Sequence, residues 1–149
     1  MLTRDQLEAA VGKPLGTSSW YDISQERIDA FGALTMDEQP IHHEAAAGQA
    51  AGFKGTVAHG FLTLSMLSAM SYEVLPKIEG ENASLNYGFD RIRFVAPVPG
   101  DGRIRGHFTL AEVNPRGDTG LMLRFGVRVE IQGEEKPALT ADWLGLYLF

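Results

Sequence analysis

Gly60–Leu75 reads GFLTLSMLSAMSYEVL and is followed at once by Pro76. At helical pitch its apolar residues, from Phe61 and Leu62 through Met66, Leu67 and Met70 to Leu75, fall on every side. A helix apolar all round belongs inside protein or lipid. Its roughly 16 residues, with Ser and Thr among them, fall short of the ~20 that a membrane span needs, so the segment is expected to be the central helix of a protein core.

From Asn82 onward the period changes from helical to alternating. In Leu121–Ile131, LMLRFGVRVEI, the residues Leu121, Leu123, Phe125, Val127, Val129 and Ile131 alternate with Arg124, Arg128 and Glu130. Such alternation predicts a strand with one face on a core and one in water. Ile104, Phe108 and Leu110 repeat the pattern, as do Ile92 and Phe94. Turn residues in NPRGDTG (114–120) and QGEEKP (132–137) predict an antiparallel meander of the last three strands. The final stretch, ALTADWLGLYLF (138–149), turns apolar on both faces and asks for cover on each side, which a subunit interface can supply.

Upstream, Thr3 and Gln6 form a capping box for a short helix that Gly12 and Pro14 close. After a short strand in SSWYDI (18–23), Ser24 caps a second helix carrying Ile28, Phe31 and Leu34. The expectation is an α+β fold in which an antiparallel sheet wraps the central helix, as one domain over residues 1–149.

Composition narrows the function classes. Net charge is −6 with a pI near 5.1, which argues against a protein held by nucleic-acid phosphates. There is no cysteine, so thiolate catalysis and disulfides are excluded. The amino terminus, MLTRDQLEAAVGKPLG, lacks the apolar run and cleavage site of a secretory signal, and a cytoplasmic location is the default expectation.

Between the second helix and the central one, Met36–Phe61 reads MDEQPIHHEAAAGQAAGFKGTVAHGF and holds three of the four histidines. Pro40 fixes its own φ and biases Gln39 away from helical conformation, so Asp37–His42 reads as a rigid irregular turn. Such a turn can aim a carboxylate and an imidazole at one water molecule and take a proton from it. The plainer reading makes Asp37 a helix cap or a solvated acid and His42 a loop residue. Gly60 stands where the central helix begins, and the unpaired amides there suit a developing oxyanion.

These residues resemble the hydratase-2 motif of the MaoC-like dehydratases, the (R)-specific enoyl-CoA hydratases of the hot-dog fold. Phe31 matches the motif's aromatic, Asp37 its acid, Pro40-Ile41-His42 its proline, aliphatic and histidine, Gly52-Phe53 its second marker and Ala58-His59-Gly60 its third. Met36 and Gln39 stand where the motif has Gly and Asn. NYGFDRIRFVAPV (86–98) is similar to the following strand in the branch related to nodulation protein N. The close resemblance runs from about Tyr21 to Val98.

The resemblance implies a hydratase that adds water to trans-2-enoyl thioesters of coenzyme A or acyl carrier protein, giving (R)-3-hydroxyacyl products, without cofactor or metal. It implies Asp37 and His42 as the catalytic pair, Gly60 as oxyanion donor, and Gln39, His59 and Phe61 beside the substrate. A homodimer is implied as well. Arg91 and Arg93, with Arg103 and Arg105, form a row that is either a coenzyme A phosphate contact or a solvated sheet face. A zinc site is not expected, because adjacent histidines project differently and no second His follows at helical spacing. His43 and His107 are expected at the surface, and His59 to anchor the loop before the helix. A hot-dog thioesterase and a non-catalytic thioester-binding subunit are the competing readings.

Overall fold

A computed structural model describes residues 1–149. The chain runs α1 (Arg4–Ala9), β1 (Pro14–Thr17), β2 (Tyr21–Ile23), α2 (Gln25–Thr35), α3 (Pro40–His43), α4 (Ala45–Ala50), α5 (Gly60–Val74), then β3 (Ala83–Phe94), β4 (Gly102–Arg116), β5 (Gly120–Ile131) and β6 (Leu139–Leu148). One antiparallel sheet in the order β1-β4-β5-β6-β3, with β2 also on β4, curls around α5. This is the α+β hot-dog architecture. No helix is long and apolar enough to cross a membrane.

The alternation in β5 places its odd-numbered residues from Leu121 to Ile131 in the core. Phe108 and Ile104 from β4 and Leu139 and Trp143 from β6 join them, and Leu67 and Met70 of α5 fill the concavity. Gly106 is needed there, since a Cβ would stand 3.0 Å from the Met70 sulfur and 2.7 Å from the Phe108 ring. The capping box of Thr3 and Gln6 is formed, and Ser24 accepts a hydrogen bond from the Arg27 amide.

Several elements differ from the sequence reading. Pro14–Thr17 is a strand, β1, at the sheet edge, where a proline's missing N–H costs no ladder bond. Between β1 and β2, Ser18 continues the pairing with its own side chain: its amide donates to the Gly106 carbonyl at 2.9 Å and its Oγ accepts from the Gly106 amide at 3.0 Å. Asn114, Pro115 and Arg116 lie within β4, so the β4–β5 turn is shorter than NPRGDTG suggested. The helix α5 is not covered on every side: Phe61 is 66% exposed and Tyr72 84%. They lie on the flank that the sheet does not enclose. Leu34 at the end of α2 is likewise bare.

The outer sheet face carries the polar residues. Glu130 accepts from Arg105 and from His107 at 2.7 Å each, and Arg105 lies over the Trp20 ring. Arg105 first, then His107, holds the Glu130 carboxyl below its ordinary value of 4.5. A lowered carboxyl stabilises the fold in full above that ordinary value, and the contribution fades as pH falls through the lower folded value.

Two expectations arise from this packing. Gly48 faces the 52–55 turn so closely that a Cβ would sit 1.9 Å from the Gly55 carbonyl oxygen. Gly48→Ala is therefore expected to destabilise the protein by about 2–3 kcal/mol in denaturant unfolding; an unchanged midpoint would contradict this packing. Glu130→Gln is expected to lower stability at neutral pH and to flatten the loss of stability on acidification below pH 4.5, with superimposable acid limbs for the two proteins as the contrary result.

Candidate active site

The helix α2 ends at Met36, whose left-handed backbone (φ 60°) turns the chain out of the helix. Glycine is the usual residue in that position. Asp37 follows, its amide donating to the Gly32 carbonyl at 3.0 Å. Gly32 has no room for a side chain, because a Cβ would stand 2.7 Å from the His43 ring and 2.9 Å from the Asp37 carbonyl oxygen. Gln39 is extended and exposed, and Pro40 occupies the first position of α3, where its missing amide hydrogen goes unneeded. The expected irregular turn thus contains one turn of helix, which carries His42 inward.

Two histidines bind this segment to the loop before α5. His42 is buried, and its Nδ1–H donates to the Val57 carbonyl at 2.7 Å. His59 is buried, and its Nε2–H donates to the Asp37 carbonyl at 2.8 Å. A carbonyl oxygen only accepts, so each bond fixes which nitrogen holds the proton. The Val57 amide adds a bond to the Ile41 carbonyl at 3.1 Å. The two imidazoles stack, centroids 3.7 Å apart, with Phe31 against His59 at 5.0 Å.

With Nδ1 committed, Nε2 of a neutral His42 is an acceptor with no partner in the chain. The Asp37 side chain is exposed and likewise makes no hydrogen bond. A carboxylate oxygen of Asp37 and one ring nitrogen each of His42 and His59 lie within 4.8 Å of one another. These three could be considered as metal ligands, yet the two rings stack face to face, so their in-plane lone pairs lie in separate planes one above the other rather than in one plane around a shared centre. The arrangement suits holding a water molecule and moving its proton.

The start of α5 meets the same space. A cavity of about 270 Å³ is lined by His42, Gly60, Thr63, Phe94 and their neighbours. The amides of Gly60 and Phe61 make no hydrogen bond within the chain, because the preceding residues offer no helical acceptor. Gly60 brings the backbone close to Phe94, 3.0 Å from where a Cβ would be. Phe61 stands at the mouth, edge-on to Phe94 with centroids 6.2 Å apart.

Arg91 and Arg93 are not brought to this cluster. They sit on β3 in register with Asp142 and Thr140, in a row that Thr140 continues to Arg128 and His107 on the outer sheet face. His43 is not a solvent-facing neighbour: its Nδ1–H donates to Asp29 at 2.7 Å and its Nε2 is enclosed beside Gly32. His43 first, and then Gln25, holds the Asp29 carboxyl below its usual range.

The sequence reading missed the support behind His42. Gln25 Nε2 donates to the His42 carbonyl at 2.7 Å and to Asp29 at 2.8 Å, while its Oε1 accepts from Thr56 at 2.6 Å. Gly100 makes space for this hub, since a Cβ there would stand 2.2 Å from the Thr56 hydroxyl. The i, i+4 spacing of Gln25 and Asp29 on α2 is a local signal for their bond, but the contacts to His42 and Thr56 lie too far along the chain for any local pattern to show.

Comparison with known proteins gives the family and the fold. Residues 6–124 match the MaoC like domain. The chain is 44% identical over 149 residues to nodulation protein N of Rhizobium leguminosarum bv. viciae, covering 99% of this chain and 92% of that protein. It is 34% identical over 142 residues to 3-hydroxyacyl-thioester dehydratase Z of Mycobacterium tuberculosis (strain ATCC 25618 / H37Rv), covering 95% and 93%. Among solved structures, the (R)-hydratase from A. caviae involved in PHA biosynthesis superposes with a TM-score of 0.73 at 22% identity, covering 91% of this chain and 94% of that one, which shows a shared fold. With its family model, its relatives and its wrapped helix in agreement, the chain belongs to the MaoC-like dehydratase family.

Proposed function

We propose that the protein is an (R)-specific enoyl thioester hydratase, adding water across a trans-2-enoyl thioester and catalysing the reverse dehydration. One observation carries the reading: His42, whose Nε2 is bare, and Gly60, whose amide is unpaired, line one cavity, and a carboxylate oxygen of Asp37 lies within 4.8 Å of a His42 ring nitrogen.

The chemistry rests on that placement. Water attacks the β-carbon of the conjugated thioester, and the π electrons move onto the carbonyl oxygen as an enolate. The Gly60 amide, at the positive end of α5, stabilises this charge as it forms. Asp37 takes the water's proton as principal base, and His42 Nε2 accepts the second water hydrogen and sets its direction of attack. The enolate collapses as its α-carbon gains the proton that Asp37 took from the water, which frees the carboxylate and restores the thioester carbonyl. No electron carrier or metal is called for by this balance. His59 acts as a positioning residue by holding the Asp37 backbone.

The substrate is an acyl thioester of coenzyme A or an acyl carrier protein. The working unit is a cytoplasmic homodimer of single-domain protomers. Support for pairing comes from β3, an edge strand whose Leu85, Tyr87 and Phe94 are all about half exposed. Gln39 and Phe61, both exposed near the site, are placed to touch the substrate, and Arg91 and Arg93 would reach a coenzyme A phosphate only across that pairing edge.

Purified protein is expected to remove the conjugated absorbance of crotonyl-CoA without releasing thiol. Asp37→Asn should cut turnover by a factor on the order of 10²–10⁴ with the fold intact. Full activity in that variant would remove Asp37 from its role, and thiol release by wild type would make the protein a thioesterase instead. His59→Phe should keep the ring packing but lose the bond to Asp37, lowering kcat by about 10–100-fold with little change in KM; an effect confined to thermal stability would reduce His59 to a core residue.

A further inference from the structure

A second cavity, of about 80 Å³, lies between the carboxyl-terminal half of α5 and the strands β3 and β6. Trp143 forms part of its wall. The indole is 6% exposed, packed among Phe89, Phe108 and Phe125, and its Nε1–H has no acceptor. Burying such a donor without a partner is costly, and it is the kind of group that a ligand oxygen satisfies.

Ser68 supplies a second donor. Its Oγ receives the Asn86 side-chain amide at a long 3.5 Å, and its own hydroxyl hydrogen has no acceptor. Ser71, also lining the cavity, spends its hydrogen on the Ser68 carbonyl at 2.8 Å. No Asp, Glu, Lys, Arg or His borders the space. A lining of neutral hydroxyl, amide and indole groups with no formal charge suits a carbonyl or hydroxyl oxygen better than a carboxylate or an ammonium.

The two cavities have no lining residue in common but lie along the same two elements. Gly60 and Thr63 of α5 and Phe94 of β3 bound the proposed reaction site, and Ser68, Ser71 and Asn86 on the same two elements bound this one. From Gly60 to Ser68 the helix rises about 12 Å, the reach of a medium-length acyl chain.

We infer that this cavity is the distal part of the acyl site and takes a neutral oxygen function, keto or hydroxyl, carried on the acyl chain far from the thioester. The inference rests on the hydratase reading and adds a substrate class to it. A plain hydrocarbon tail would leave the Trp143 N–H buried without an acceptor.

The test compares trans-2-decenoyl-CoA with its counterpart bearing a ketone on the penultimate carbon. Wild type is expected to show kcat/KM about tenfold higher for the keto substrate. In Trp143→Phe and in Ser68→Ala that ratio should fall toward unity; a ratio cancels any general loss of activity, and thermal melting checks the fold. Hydration of crotonyl-CoA by wild type with equal or greater preference for the alkyl chain would overturn the inference and leave the hydratase reading standing. If no enoyl thioester is hydrated at all, the hydratase reading fails. The inference is then decided in Trp20→Phe protein, whose emission comes from Trp143 alone. A shift with the saturated keto-acyl-CoA but not with decanoyl-CoA keeps the compartment, and no difference between the two removes it.

Discussion

Two hydrogen bonds that cross each other hold the candidate site together. His42, on the segment that follows α2, donates to the carbonyl of Val57 on the segment that precedes α5, while His59 on the second segment donates to the carbonyl of Asp37 on the first. Each histidine therefore ties its own loop to the other's backbone, and the rings stack where the loops meet. Because the acceptors are main-chain carbonyls, the bonds also set the tautomers. The bare Nε2 of His42 is a consequence of the bond on the far side of its ring. Apart from the single turn of α3 that carries His42, the two segments have no regular structure at these residues, and the two bonds hold the carboxylate, the imidazole and the helix start in their relative places.

The second constraint is that α5 serves both core and site. Its middle must be apolar because the sheet closes over Leu67 and Met70, and its first amides must be unpaired because a helix begins there. The protein places the loops of the candidate site over that unpaired end instead of capping it with a side chain. Behind them, the glycines at 32 and 100 let His43 and Thr56 come close enough to brace the loops, the latter through Gln25.

Much of this was legible in the sequence because it depends on local period. The alternation of Leu121–Ile131 named its core face residue by residue, and the capping box at Thr3 and Gln6 and the cap at Ser24 stood where the spacing put them. The motif order from Phe31 through Asp37 and His42 to Gly60 picked out residues that the fold brings together. Other features depend on contacts between distant residues. β1 is too short to show alternation, and it exists because β4 offers it a partner. The exposure of Phe61 and Tyr72 depends on where the sheet stops, which hydrophobicity does not encode. The i, i+4 pair of Gln25 and Asp29 is local, but His43 joins it only after α2 and α3 have packed, so its spacing does not announce the network. That Arg91 and Arg93 share the polar face was visible, but β5 and β6 separate them from Arg103 and Arg105, whose strand was expected beside theirs.

The edge position of β3 bears on how the chain survives before it finds any partner. One side of this strand pairs with β6, and the other offers unpaired amides and carbonyls to whatever strand arrives. Its second half is guarded by Asp90, Arg91 and Arg93 and is bent by irregularities in register on either side of Gly88 and Phe89. Its first half, Ala83–Gly88, carries no charge at all and leaves Leu85 and Tyr87 about half exposed. Misassembly of newly made chains should therefore begin at this six-residue stretch, so its aggregation risk is concentrated at one end of a strand rather than spread over the apolar core.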